Sequence, residues 1–278
     1  MIFFLLSVLC STLVSVLMRA SEKHISNNFS MLACNYIVCT IVAGIVTGTT
    51  DLFPAVPGLG TAIGLGVLSG ILFLGAFILL QWNVYKNGVS LPSTFMKLGV
   101  VVPTVLALTL FGEAPSFVQI AGIALVLVSI LLLQSEKAQT QVASHAGLIA
   151  LMLVGGGASA MTKVYDFYGT EALENHFLVY NFGVAFILCV ILCIVRRQHL
   201  TLKDALFGVL VGIPNYFSTL FLLLALQSIP ALVAYPASSV STIVLILLCG
   251  RFFFKEKLTR RQLFTIGVIL VALVLLNL

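Results

Sequence analysis

VSLPSTFMKLGVVVPTVLALTLF, residues 89–111, is an apolar run with one lysine, Lys97, inside it. The chain turns at FGEAPS, residues 111–116, and resumes as FVQIAGIALVLVSILLL, residues 117–133. At a helical rise of about 1.5 Å per residue, Lys97 lies about 13 Å below the edge of a hydrocarbon layer about 30 Å thick. An ammonium near the midplane is costly, and by default it marks a functional site.

Composition fixes the class. Hydrophobic residues make up 60% and charged residues 8%, against averages of about 45–50% and about 25% in soluble domains. This is the composition of an integral membrane protein, with little chain left over for a soluble core or a catalytic domain. Apolar runs centre on residues 2–19, 31–49, 61–84, 89–111, 116–134, 146–165, 176–195, 204–227, 230–250 and 260–277. Ten runs of this length satisfy every backbone polar group as helices, and the alternation of a barrel strand is absent. The expected fold is all-α, with ten transmembrane helices. The first run lacks a basic leader and a small-residue cleavage site, so it reads as a retained helix and not as a signal peptide.

The net charge of +5 is carried by loops between the runs, which points to orientation in a bilayer and gives no nucleic-acid face. Cys10, Cys34, Cys39, Cys189, Cys193 and Cys249 fall inside apolar runs without a CxxC pair, so they read as reduced packing residues. The four histidines have no ligand spacing, and no P-loop or GxGxxG motif is present. No metal, cofactor or enzymatic activity is expected.

The second half repeats the first. Gly66-Val-Leu-Ser-Gly70 matches Gly208-Val-Leu-Val-Gly212, and Val89-Ser-Leu-Pro92 matches Val233-Ala-Tyr-Pro236. Phe111-Gly-Glu113, Ser116 and Gln119 match Phe254-Lys-Glu256, Thr259 and Gln262, all within a register of 142 to 144 residues. Two five-helix repeats follow, residues 1–140 and 141–278. Because five is odd, the second enters the membrane in the opposite sense, giving an inverted repeat. Cations crowd the odd-numbered connections, with Arg19, Lys86, Arg196, Arg197 and Lys203 among them, while the even ones hold Lys163 with several acids. That bias puts the odd connections in the cytoplasm and both termini outside.

Two repeats, each ending in a glutamate at a tight turn before a final apolar helix, resemble the EamA-like branch of the drug/metabolite transporter superfamily. The residues that carry the resemblance are FGEAPSFVQIAGIALVLVSILLL, residues 111–133, and FKEKLTRRQLFTIGVILVALVLL, residues 254–276. One departure is Thr265, where the first repeat has Gly122. The resemblance implies a secondary carrier of the inner membrane, commonly an exporter of amino acids or other small metabolites, with a cavity between the halves. Spans one, three, four, six, eight and nine are expected to line it. The duplication supplies within one chain what half-length relatives obtain by dimerising, which is compatible with a functional monomer.

In inverted-repeat carriers the substrate binds near the midplane, beside helices interrupted by Pro or Gly. Spans four, eight and nine carry such residues. Lys97 reads as a counter-charge for a carboxylate or phosphate, or as a group that loses a proton during the cycle. The alternative, a snorkelling lysine, must bridge about 13 Å with a side chain of about 6 Å. Asn215 and Tyr216 beside Pro214 offer an amide and a hydroxyl to substrate, or else join helices. Tyr235, Ser238 and Ser239 flank Pro236, and their hydroxyls either face substrate or satisfy the carbonyl that proline frees. Trp82 closes span three as a gate or as part of an interfacial aromatic belt. Ser7, Ser11 and Ser15 form a small-residue stripe that reads as a packing seam. Glu113 and Glu256 each precede a helix start and read as caps, with proton coupling the other possibility.

No carboxylate lies near the centre of any span, so an anionic or zwitterionic solute such as an amino acid fits better than an organic cation. A lipid-linked sugar or phospholipid flippase, or a drug exporter, is the alternative use of the same fold.

Overall fold

The computed structural model describes residues 1–22, 24–48, 51–87, 90–134, 144–253 and 259–278. Among these every regular element is helical: α1 Ile2–Ser21, α2 Asn28–Thr47, α3 Leu59–Asn87, α4 Ser90–Leu98, α5 Val101–Thr109, α6 Phe117–Gln134, α7 His145–Tyr168, α8 Glu174–Val195, α9 Leu202–Leu226, α10 Ala231–Phe253 and α11 Arg260–Leu276. A 3₁₀ turn, Glu171–Leu173, leads into α8. Eight spans are long and apolar enough to cross a membrane, with α4 and α5 counted together as one, and Phe117–Leu133 is a shorter apolar helix. Helix α11 adds 17 residues, so the count of ten is matched approximately.

Local chemistry sets the helix starts. Asn27 Oδ1 accepts from Phe29 N at 2.8 Å at the start of α2. Ser116 and Gln119 form a reciprocal capping box at α6, with bonds of 3.0 and 3.1 Å. Thr259 and Gln262 repeat it at α11, with bonds of 2.9 and 3.2 Å. These pairs are the very residues that match between the repeats, and their spacing is the one a capping box needs.

The chain forms two compact units, Met1–Leu74 with Met161–Ala225 and Gly75–Ala160 with Leu226–Leu278. Both draw helices from each sequence half. In the first unit α2 packs against α8, the second helices of the two repeats. On this pair the two GVLxG segments do the same job. A Cβ on Gly66 of α3 would stand 2.6 Å from Tyr180 Cβ of α8, and one on Gly70 would stand 2.5 Å from Asn181 O. A Cβ on Gly208 of α9 would stand 2.7 Å from Met31 O of α2, and one on Gly212 would stand 2.8 Å from Asn35 O. Small residues let backbones approach closely where lipid supplies no hydrophobic drive for association. The matched GVLxG segments thus make matched helix crossings.

In the second unit α6 packs against α11, the fifth helices of the repeats. A Cβ on Gly122 would meet Leu276 N at 3.1 Å. Thr265, the departure noted in the sequence, is fully buried, and its hydroxyl donates to Arg261 O at 2.9 Å within α11. Its polarity is thus absorbed by its own helix.

Candidate functional site

Of the three proline-bearing spans expected to be interrupted, only span four breaks. Helices α9 and α10 run through Pro214 and Pro236 without a gap, which corrects the expectation for spans eight and nine. Span four divides at Gly99 and Val100 into α4 and α5. The cause is local. Pro103 has no N–H for the carbonyl four residues back and its ring crowds that carbonyl, which belongs to Gly99. Val102 N bonds Gly99 O instead, at 2.9 Å, as in a 3₁₀ turn. A crossing helix also presses on this point. A Cβ on Gly99 would lie 3.0 Å from Gly156 N of α7, and one on Gly156 would overlap Gly99 O and lie 2.6 Å from Val102 Cγ2.

Lys97 is in the last turn of α4, two residues before the break. Its side chain is largely enclosed. Among the described residues no carboxylate and no hydrogen-bond acceptor reaches its Nζ. The N-terminus of α5, directly after the break, has no side-chain cap. Its start is closed from the backbone, since Val102 N bonds Gly99 O at 2.9 Å, Thr104 N bonds Val100 O at 3.3 Å and Pro103 has no N–H, so the positive charge at the break is that of Lys97.

The other second-unit candidates lie on α10 and α3. Tyr235 is buried and its hydroxyl donates to Ser159 O at 3.0 Å, joining α10 to α7. Ser238 and Ser239 are half-buried one turn further along α10. Trp82 is partly exposed at the end of α3, with Lys86 Nζ 4.3 Å from its ring centre. A Cβ on Gly147 of α7 would overlap the Trp82 ring. Next to it Asn83, fully buried, donates to Gly147 O at 2.9 Å, and Asn87 Oδ1 accepts from Ser144 N at 3.2 Å.

Asn215 and Tyr216 belong to the first unit. Asn215 Nδ2 donates to Asn35 Oδ1 at 3.2 Å and lies 3.7 Å from Cys39 Sγ. Tyr216 is fully buried, its hydroxyl donates to Asn175 Oδ1 at 3.4 Å, and its ring meets Phe182 and Phe217. The seven sequence candidates are thus divided between the units, five in the second and two in the first. Asn35, the partner of Asn215, went unremarked in the sequence reading, although an amide in the middle of span two was a visible signal.

Several other polar residues take structural positions. Ser7 donates to Ser218 O at 2.9 Å and Ser11 shares a hydrogen bond with Ser218 at 2.5 Å, so the serine stripe of α1 is a seam against α9. Lys163 pairs with Asp166 at 2.7 Å. Glu113 is a cap, but not of the helix that follows it. Its Oε1 accepts from Ala231 N at 2.9 Å and its Oε2 from Leu232 N at 2.8 Å, closing the start of α10 across 118 residues of chain. Glu256 lies outside the described residues. Among those residues no cluster of three His, Cys, Asp or Glu side chains could hold a metal ion.

Residues 145–278 match the model of the EamA-like transporter family. A protein of Haemophilus influenzae described as uncharacterized is 25% identical over 271 residues, spanning 91% of this chain and 90% of the relative. A crystal structure superposes with a TM-score of 0.74 at 13% identity, over 99% of this chain and 94% of the other. At that identity the likeness is one of fold.

Proposed function

We propose that this multi-pass membrane protein, whose residues 145–278 match the EamA-like transporter family, moves a small anionic or zwitterionic metabolite, such as an amino acid, by secondary active transport. Export by alternating access is the proposed cycle. The observation that carries the reading is Lys97, a cation inside an apolar span, beside the break in that span and without a carboxylate partner among the described residues. An unpaired ammonium at depth is expensive, and a substrate carboxylate would neutralise it during binding. Tyr235, Ser238, Ser239 and Trp82, which share the unit of Lys97, are the proposed polar and aromatic contacts.

A thermal-shift screen of the purified protein in detergent tests this. Amino acids, organic acids, sugar phosphates, nucleosides and quaternary amines are compared on wild type and Lys97→Met. A ligand present at 100 times its Kd stabilises by about 2.7 kcal/mol through mass action. Stabilisation of wild type by an anionic or zwitterionic class, absent in Lys97→Met, is expected. Equal stabilisation of both proteins by cations would refute it.

A further inference from the structure

The first unit contains a cavity of about 410 Å³ between α2, α8 and the segment joining α8 to α9, within the range of about 300–1,000 Å³ typical of ligand pockets. None of the transport candidates lines it. Its walls are apolar, with Ala33 and Ile37 from α2 and Phe186 and Val190 from α8. At one end stand Arg197, Gln198 and His199. Ile194 and Leu200 also border the cavity and are 70% and 61% exposed. Large aliphatic side chains exposed on a membrane protein face acyl chains, which are as apolar as they are, so the cavity opens toward lipid.

The polar end is built for an anion. Helix α8 closes with Gln198 N on Cys193 O at 2.9 Å and Arg197 N on Ile194 O at 3.0 Å, a Schellman pattern whose left-handed position normally belongs to glycine. Arg197 holds that position at φ +51°, at a cost on the order of 1 kcal/mol for a residue with a Cβ. Its neighbour Arg196 stacks 4.7 Å over the Phe29 ring, whereas no carboxylate pairs with Arg197 among the described residues. Gln198 Oε1 is buried without a hydrogen-bond partner. A buried acceptor left empty is unfavourable, and a ligand hydroxyl or amine would satisfy it.

The surrounding end of the unit is cationic. Ser26 N donates to Asp204 Oδ1 at 2.9 Å, which brings the α1–α2 connection beside the α8–α9 connection. Arg19 closes α1 at this end, and Arg196, Arg197 and Lys203 lie in or next to the second connection. Such a surplus of cations marks the cytoplasmic leaflet, where anionic phospholipids concentrate. We propose that this cavity binds one anionic phospholipid with a hydroxyl-bearing headgroup. Its acyl chain lies between α2 and α8, its phosphate rests on Arg197, and its headgroup hydroxyl donates to Gln198 Oε1.

Native mass spectrometry of the full chain, delipidated in detergent, tests the proposal with three probes. These are phosphatidylglycerol, phosphatidylcholine of the same acyl chains, and glycerol 3-phosphate. Wild type is expected to prefer phosphatidylglycerol over phosphatidylcholine by about fivefold, the equivalent of about 1 kcal/mol for one cation near an anionic surface. Arg197→Gly is expected to lose that preference while its lipid-free melting temperature holds or rises, because glycine suits the left-handed position. Ala33→Trp, which puts an indole into the acyl-chain part of the cavity, is expected to lose both lipids. Equal binding of the two lipids by wild type, a preference that survives Arg197→Gly, or glycerol 3-phosphate binding as tightly as phosphatidylglycerol would each overturn the proposal.

Discussion

Two helix crossings in the first unit share one design and differ in one detail. Gly208 and Gly212 bring α9 onto α2 over Asn35, and Gly66 and Gly70 bring α3 onto α8 over Asn181. Asn35 and Asn181 are each 1% exposed and stand 146 residues apart. Asn35 Oδ1 accepts from Asn215 Nδ2 at 3.2 Å, whereas Asn181 Oδ1 is buried with no hydrogen-bond partner. In the glycine register the counterpart of Asn215 is Phe73, whose ring packs 6.4 Å from that of Phe182. Close backbone approach needs only that two positions stay small. A side-chain hydrogen bond needs two matched residues, so one replacement ends it. The two crossings therefore share their packing and differ in their polar pairing.

The glycines should give the largest effect. A Cβ at Gly66 or Gly208 meets a main-chain carbonyl, at 3.1 Å for Phe177 O and 2.7 Å for Met31 O, and a carbonyl in a helix cannot swing aside. Gly66→Ala and Gly208→Ala are each expected to destabilise by about 1–3 kcal/mol, the usual cost of overpacking, measured by denaturant titration in mixed micelles. Gly44→Ala, with open space around the added carbon, is the control and should be neutral or better. If one of the two crossing glycines tolerates alanine and the other does not, the crossings are not equivalent.

The asparagines come next, with opposite signs. Asn35→Leu takes from Asn215 its hydrogen-bond acceptor and should cost about 1–2 kcal/mol. Asn181→Leu removes an acceptor that has nothing to accept and should lie between neutral and about 1 kcal/mol stabilising. Equal losses in the two variants would mean that Asn181 has a partner in the membrane, such as water or substrate.

Much of this scaffold was legible in the sequence, for physical reasons that differ by residue. The glycine pairs and the capping boxes at Ser116 and Thr259 are local patterns, and a repeat preserves local patterns in register. The single break in span four was harder to read. Pro103, Pro214 and Pro236 look alike in sequence, but only Pro103 has both a glycine four residues back and Gly156 pressed against it. Glu113 read correctly as a cap, yet its helix begins 118 residues later, a distance no local pattern spans. Asn35 belongs to no such local pattern, because its role depends on Asn215 of a partner helix. The isolation of Lys97 from any carboxylate followed from composition alone, since no acid lies deep in a span.

The smallest effect is the most specific. A double-mutant cycle on Asn35 and Asn215, using Asn35→Leu, Asn215→Leu and the pair, isolates the hydrogen bond from the changes in packing that each substitution brings. Side-chain hydrogen bonds between membrane helices average about 0.6 kcal/mol by this method, and the 3.2 Å contact with the Cys39 sulfur nearby should reach at least that. The matching cycle on Asn181 and Phe73 should return a coupling near zero, since an aromatic ring offers the amide oxygen no donor. A coupling of similar size in both cycles would show that the second crossing has a polar link of its own, and the asymmetry drawn from the orphaned oxygen would fall. A coupling confined to Asn35 and Asn215 would leave α9 joined to α2 by a side-chain hydrogen bond that α3 and α8 lack, although the two crossings are alike in their glycines.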